Sequence, residues 1–269
     1  MMLSRLLLLC VLLAPSLAHA DLTFFWRVEG TTLSGTDDYT AGADTSATLT
    51  TATIDGTAAL VGLNGLNVGA ASARADFNSE TAVVDRTVGS IGFHLNIQTF
   101  GATRLAQARG TNSSNQLTVQ MLGTDTATGR EIRLSIQDQT AGTANLDTTA
   151  FDMATATHYF VTASWDQPNN KRRIRLYTVS GSTCTLSQTR EDTTTGFTAP
   201  TELAFVGAGM VFGSSATSAG YYMDNIFWGK AYDDEATFAT NCGITSYTSY
   251  SAGGASGVPN GLMLMGVGK

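Results

Sequence analysis

Short apolar segments, many alternating with polar residues, recur along nearly the whole chain and indicate β-strands. Clusters of Gly, Asn, Asp and Ser, which are typical of turns, separate them. This spacing predicts an all-β protein, a two-sheet antiparallel β-sandwich of the jelly-roll kind. The predicted strands are Leu22–Val28, Ala58–Val61, Gly89–Gln98, Arg104–Ala108, Gln116–Leu122, Glu131–Gln137, His158–Trp165, Arg172–Val179, Glu202–Val206 and Tyr221–Trp228.

One short helix is predicted near the C-terminus, at Asp234–Thr240. Asp233 would cap its first turn, and Asp234 and Glu235 would lie at the positive end of the helix dipole. The three adjacent acidic residues are therefore interpreted as a helix start rather than as a catalytic group.

The segment from His158 to Thr178 predicts a hairpin. One face of its first strand carries Tyr159, Val161, Ala163 and Trp165 and should point to the core. Pro and Asn within Asp166–Asn170 favour a turn. We interpret the basic residues that follow as a solvated strand face, with a ligand-binding patch as the alternative. They are Lys171, Arg172, Arg173 and Arg175.

The first twenty residues have the pattern of a secretory signal peptide. Arg5 precedes the apolar run Leu6–Leu13, and Ala18-His19-Ala20 supplies a small-residue cleavage site. The expected organisation is a signal peptide at 1–20, a β-sandwich domain at 21–244 and a Ser/Tyr/Gly-rich linker with an apolar end segment at 245–269. The protein is expected to be secreted, extracellular or at the cell surface, or periplasmic in a Gram-negative cell.

Charge and hydropathy narrow the classes of partner. The whole chain has a net charge of −7, and loss of Arg5 would make it one unit more negative. A basic patch large enough for nucleic acid is not expected from this balance. After the leader no segment is long and apolar enough for a membrane-spanning helix, so no membrane span is expected.

Two cysteines follow the leader, Cys184 and Cys242. In an oxidising compartment such a pair is most simply one disulfide, with two buried free thiols as the alternative. The bond would close a loop of about 60 residues and contribute about 3–4 kcal/mol in the chain-entropy model. Zinc is not expected, because neither cysteine has a Cys or His at ligand spacing.

The order of the segments resembles a laminin-G-like, concanavalin A-like jelly-roll domain. Four stretches carry the resemblance: FFWRVEG at 24–30, VGSIGFHLNI at 88–97, the HYFVTASWD…RIRLYTVSG hairpin, and YYMDNIFWGKAYDDEATFA at 221–239. The resemblance implies one sandwich of two antiparallel sheets. It also implies a structural calcium ion, held near the opening strand by Glu29 and Gly30 and on the closing strand by Asp224. The alternative for these residues is a turn hydrogen bond and a surface charge.

The jelly-roll fold also hosts glycan-cleaving enzymes, so the residue patterns that such enzymes need bear on the function. No strand carries the spaced pair of acids that a retaining glycosidase needs. His94 and His158 each lie in or at the start of an apolar strand and are interpreted as structural. No nucleophile motif of the G-x-S-x-G type is present, so no catalytic residue is assigned.

The leading functional hypothesis is non-catalytic recognition of carbohydrate or glycoconjugate at the cell exterior, with the ligand-binding residues unknown. Candidate aromatic platforms are Tyr221, Tyr222, Trp228, Tyr232, Tyr247 and Tyr250. One alternative is self-association as a structural subunit through the apolar segment Leu262–Val267, which could also be a strand of its own domain. Another is a divergent polysaccharide-cleaving enzyme.

Overall fold

The protein is a sandwich of two antiparallel β-sheets, as the sequence predicts. The computed structural model describes residues 22–33, 37–43, 45–69, 72–77, 83–110, 114–122, 130–148, 153–200, 210–213, 219–232 and 242–247. Its strands are β1 (Leu22–Trp26), β2 (Tyr39–Thr40), β3 (Thr48–Thr50), β4 (Thr53–Asp55), β5 (Gly65–Val68), β6 (Arg74–Phe77), β7 (Val88–Thr99), β8 (Thr103–Arg109), β9 (Gln116–Leu122), β10 (Glu131–Asp138), β11 (Gly142–Asp147), β12 (His158–Asp166), β13 (Lys171–Ser180), β14 (Thr183–Asp192), β15 (Met210–Gly213) and β16 (Gly220–Gly229).

The two sheets differ in size. The larger, nine-stranded sheet has the order β14-β13-β12-β7-β16-β1-β2, with β5 also paired to β16 and β4 paired to β5. The smaller, seven-stranded sheet has the order β11-β10-β9-β8-β15-β6-β3. First and last described strands meet in the larger sheet, since β1 pairs with β16.

A single apolar core fills the space between the sheets. Its largest fully buried side chains come from both sheets, and edge-to-face ring contacts such as Phe24–Phe77, with centroids 5.1 Å apart, connect the two sheets. Tyr159, Val161, Ala163 and Trp165 of β12 all belong to this core, so the predicted inward face of the hairpin is confirmed. The Asp166–Lys171 pair closes the hairpin beside a turn at 167–170.

Two assignments made from the sequence, one in the β4–β5 loop and one in β13, are wrong. Ala58–Val61 is not a strand but part of the loop between β4 and β5, because its backbone is used to hold a buried carboxylate. Arg172 does not coat the solvent face, since it is 1% exposed and paired with Asp192 at 2.6 Å.

Several other expectations fall outside the described residues. These are the signal peptide at 1–20, the strand Glu202–Val206, the helix Asp234–Thr240 and the apolar segment Leu262–Val267. Among the described residues, no helix is long and apolar enough to cross a membrane.

Candidate functional site

The outer face of the larger sheet, on the side away from the core, is closed. Its side chains include Phe25, Phe160, Tyr177 and Phe227, which form a second buried cluster with Leu22 and Ile244. Between them Ser90, Thr162 and Ser164 are fully buried as well. Strand β12 is therefore buried on both faces and offers no surface for a ligand.

Residues 242–247, which we call the strap, contribute to this closure. At one end Cys242 is bonded to Cys184 of β14, the edge strand of the larger sheet, so the predicted disulfide is confirmed. In the middle, the Ile244 carbonyl accepts a hydrogen bond from Asn225 Nδ2 at 3.0 Å. At the other end, Tyr247 stacks on Tyr39 of β2 with ring centroids 4.2 Å apart.

Gly243 lets the strap approach the sheet closely. Its φ is +79°, and a Cβ at this position would lie 2.8 Å from His94 Nε2. The strap thus passes directly over the histidine that the sequence interpretation placed in an apolar strand. Apart from the predicted disulfide, the path of the strap was not predicted, since its six residues have no apolar period.

The buried His94 and the half-buried His158 form a pair on this face. Their Nδ1 and Nε2 atoms are 2.7 Å apart, and His94 also packs against Phe160. Burial lowers the pKa of His94 to about 3, with a further contribution from the charge of His158. Burial alone lowers the pKa of His158 to about 4. Both imidazoles are therefore neutral at pH 7, as part of the packing.

We expect this pair to make the protein acid-sensitive below pH 6.5. Between pH 6.5 and about 4 the unfolded histidines bind protons that the folded ones do not, so stability falls as the pH is lowered. One such histidine contributes about 1.4 kcal/mol per pH unit. Urea unfolding at several pH values should show a smaller acid loss in His94→Gln than in the parent protein. An unchanged pH dependence in that variant would contradict the assignment.

Asp224 holds the β4–β5 loop. Its Oδ2 accepts hydrogen bonds from the backbone N–H groups of Leu60 and Val61, at 3.0 and 2.8 Å, and its Oδ1 accepts one from Asn225 at 2.8 Å. Burial raises the pKa of Asp224 to about 8, against the lowering effect of these N–H groups. The nearby charge of Glu29 raises it further.

Glu29 is hydrogen-bonded to the same loop, a few residues further along the chain. Its two carboxylate oxygens accept the N–H groups of Leu63 and Asn64 at 2.9 and 3.0 Å. Gly62, with a φ of +80°, is needed here because a Cβ would lie 1.8 Å from Glu29 Oε1. The carbonyl of Gly30 accepts a hydrogen bond from Trp26 Nε1 at 2.9 Å.

Glu29, Gly30 and Asp224 therefore lie in one region, but as placed they do not fit a calcium site. Calcium takes six to eight oxygen ligands, whereas these carboxylate oxygens face backbone N–H groups. Within the described residues, no group of three His, Cys, Asp or Glu side chains is arranged to hold a metal. Calcium binding stays a prediction that no contact in this region supports.

The outer face of the smaller sheet is different in character. It carries a series of amide side chains, in which Gln107 Nε2 donates to Gln116 Oε1 and Gln116 Nε2 donates to Gln137 Oε1. Gln116 and Gln137 are half-buried, and Thr143 opposite Gln137 on β11 is exposed. We call Gln107, Gln116, Gln137 and Thr143 the amide row. Each of these residues lies on a different strand, and nothing in the sequence indicated that they form a site.

A cleft lies at the β11 end of the amide row. It has a volume of about 330 Å³ and is lined by residues 141–144 and 196–198. Phe197 lies on one side, with the buried guanidinium of Arg172 5.3 Å from its ring centroid. The volume is at the lower end of the range of about 300–1,000 Å³ for small-molecule pockets.

The predicted aromatic platforms are mostly inside the protein. Tyr221, Trp228 and Tyr232 are buried, whereas Tyr222 and Tyr247 are half-buried and Tyr250 lies outside the described residues. Of the basic residues on the hairpin, Arg173 pairs with Glu191 at 3.1 Å and lies over the Tyr232 ring. Asp233, Asp234 and Glu235 also lie outside the described residues.

Several proteins of known structure are similar to this chain in fold. No family model and no curated protein matches the chain. The botulinum neurotoxin serotype D binding domain is similar at 11% identity and a TM-score of 0.45, covering 80% of this chain and 50% of that one. This chain thus spans about half the length of that domain.

Two sugar complexes are also similar in fold. Winged bean acidic lectin complexed with methyl-alpha-D-galactose has 8% identity and a TM-score of 0.47, covering 77% of this chain and 98% of the lectin. The Ruminococcus gnavus IT-sialidase CBM40 bound to alpha2,3 sialyllactose has 12% identity and a TM-score of 0.45, covering 66% and 96%. Likenesses at these values carry no argument about function.

Proposed function

We propose that the protein is a secreted, non-catalytic recognition module that binds carbohydrate or glycoconjugate at the cell exterior. The observation that carries the proposal is the amide row on the smaller sheet. Sugar hydroxyls both donate and accept hydrogen bonds, and glutamine amides do the same. The row holds three such amides in a fixed hydrogen-bonded series beside a cleft.

The contrast between the two sheets supports this location. The outer face of the larger sheet is filled by apolar side chains and the strap. On the smaller sheet the long polar side chains of Gln116, Gln120 and Gln137 are only half-buried, although Gln107 and Thr118 beside them are buried. Export, expected from the leader at 1–20, would bring this face into contact with external glycans.

A glycan array probed with Asp21–Lys269 tests the proposal. We expect binding to a defined subset of oligosaccharides, and at least a tenfold loss of affinity in the double variant Gln116→Leu/Gln137→Leu, because leucine keeps the bulk but not the hydrogen bonds. Gln98→Leu, an exposed glutamine on the larger sheet, is the matched control and should bind normally. Absence of binding to any glycan would refute the function.

A further inference from the structure

The amide row ends on a hydrogen-bond donor. Each donated bond points from β8 toward β11, so the chain of bonds ends on the amide nitrogen of Gln137. Gln137 is half-buried, whereas Gln107 at the other end is 3% exposed. A ligand at the β11 end of the row would therefore have to supply an acceptor.

Arg109 adds a positive charge to the same face. It lies directly opposite Gln116 in the β8–β9 pairing, so the two side chains project from the same side of the sheet. The side chain is half-buried, and its Nε is buried without a hydrogen-bond partner. A partly desolvated guanidinium binds a carboxylate more strongly than an exposed one does.

Two other arginines on this sheet already have carboxylate partners. Arg74 pairs with Asp76 at 2.8 Å, and Arg133 forms a two-point contact with Asp147. Among the described residues, Arg109 has no carboxylate within ion-pair distance. Within the described part of the chain it is thus a cation without a counter-charge, in a protein whose net charge is −7.

We propose that the amide row binds glycans that carry carboxylate groups, and that Arg109 pairs with the carboxylate. This rests on the proposed function and specifies its ligand class. The distance from Arg109 on β8 to Thr143 on β11 covers three inter-strand spacings, about 14 Å at about 4.8 Å each. The site is therefore wider than a single sugar ring, and its ligand is an oligosaccharide lying across the strands, with one end toward the cleft.

The test uses a glycan array that carries uronic- or sialic-acid-containing oligosaccharides together with uncharged ones. We expect the bound glycans to contain a carboxylate. Calorimetric titration should then show at least tenfold weaker binding when the carboxylate of the bound glycan is converted to its methyl ester. Arg109→Gln should lose this preference, whereas Arg104→Gln, an exposed arginine on the same strand, should keep it.

The outcomes separate the two proposals. Binding only to uncharged glycans would overturn the assignment of ligand class and leave carbohydrate recognition intact. Equal weakening by Arg109→Gln and Arg104→Gln would show general charge attraction and overturn the role of Arg109. No binding to any glycan would remove the proposed function and this inference with it. Circular dichroism of both variants checks that each is folded.

Discussion

Replacing Asp224 with alanine should destabilise the protein by about 3–4 kcal/mol. The substitution removes the acceptor for three backbone N–H groups, those of Leu60, Val61 and Asn225. Each buried donor left without a partner costs about 1–3 kcal/mol. The β4–β5 loop keeps its hydrogen bonds to Glu29 at Leu63 and Asn64, so the local detachment should centre on Leu60 and Val61. Urea unfolding gives the free energy, and hydrogen exchange at residues 60–64 reports the loop.

Asp224→Asn is the matched variant, since an amide keeps one oxygen acceptor and carries no charge. We expect it to lose about 1 kcal/mol or less at pH 7, because burial raises the pKa of Asp224 to about 8. A folded carboxyl with a raised pKa holds a proton that the unfolded chain has released, so its contribution is lost as the pH rises from about 4 to 8. The asparagine variant should lack this loss. Equal damage by alanine and asparagine would contradict the assigned role.

The same variants decide the calcium question. The carboxylate oxygens of Glu29 and Asp224 accept hydrogen bonds from backbone N–H groups. We therefore expect the melting temperature of the parent protein to be the same in calcium and in chelator. A drop in chelator that is absent in Asp224→Ala would instead establish the calcium site that the family resemblance implies.

Alternation of apolar and polar residues was sufficient to predict the sandwich and most of its long strands, although the ten-residue edge strand β14 was not predicted. β7, β12, β13 and β16 are long enough to show the pattern, and their inward residues are the core. The short strands β2 to β6 have two to four residues each, too few for a period to be visible. Their pairing is fixed by neighbouring strands rather than by local sequence.

The candidate site was harder to predict because it depends on contacts between distant segments. Gln107, Gln116 and Gln137 look like ordinary outward residues of three separate strands, and only the strand register brings them into one row. Likewise, the family resemblance implied that Asp224 is a calcium ligand but could not show that its carboxylate accepts hydrogen bonds from loop N–H groups. Hydrogen-bond partners of this kind are a property of the folded chain, not of a motif.

Removal of the disulfide by Cys184→Ala/Cys242→Ala should lower stability by about 4 kcal/mol. The two cysteines are 58 residues apart, and the chain-entropy model assigns a bond across such a loop about this value. The effect should be both global and local, because Cys242 is also the anchor of the strap at the β14 edge. Thermal or urea unfolding of the double variant and of the reduced parent protein measures the global part.

The local part concerns the aromatic face under the strap. Without the bond, the strap loses its attachment at the β14 edge and is held by contacts such as those of Ile244 with Asn225 and of Tyr247 with Tyr39 and Asp37, so Phe160 and His94 should become accessible more often. We therefore expect faster hydrogen exchange in β7 and β12 and stronger binding of a fluorescent apolar dye. Tyr247→Ala, which frees the opposite end and leaves the disulfide intact, is the control and should change these signals less. If the double variant bound no more dye than the parent protein, the strap would not be what closes this face, and the face would have to be covered by other parts of the chain.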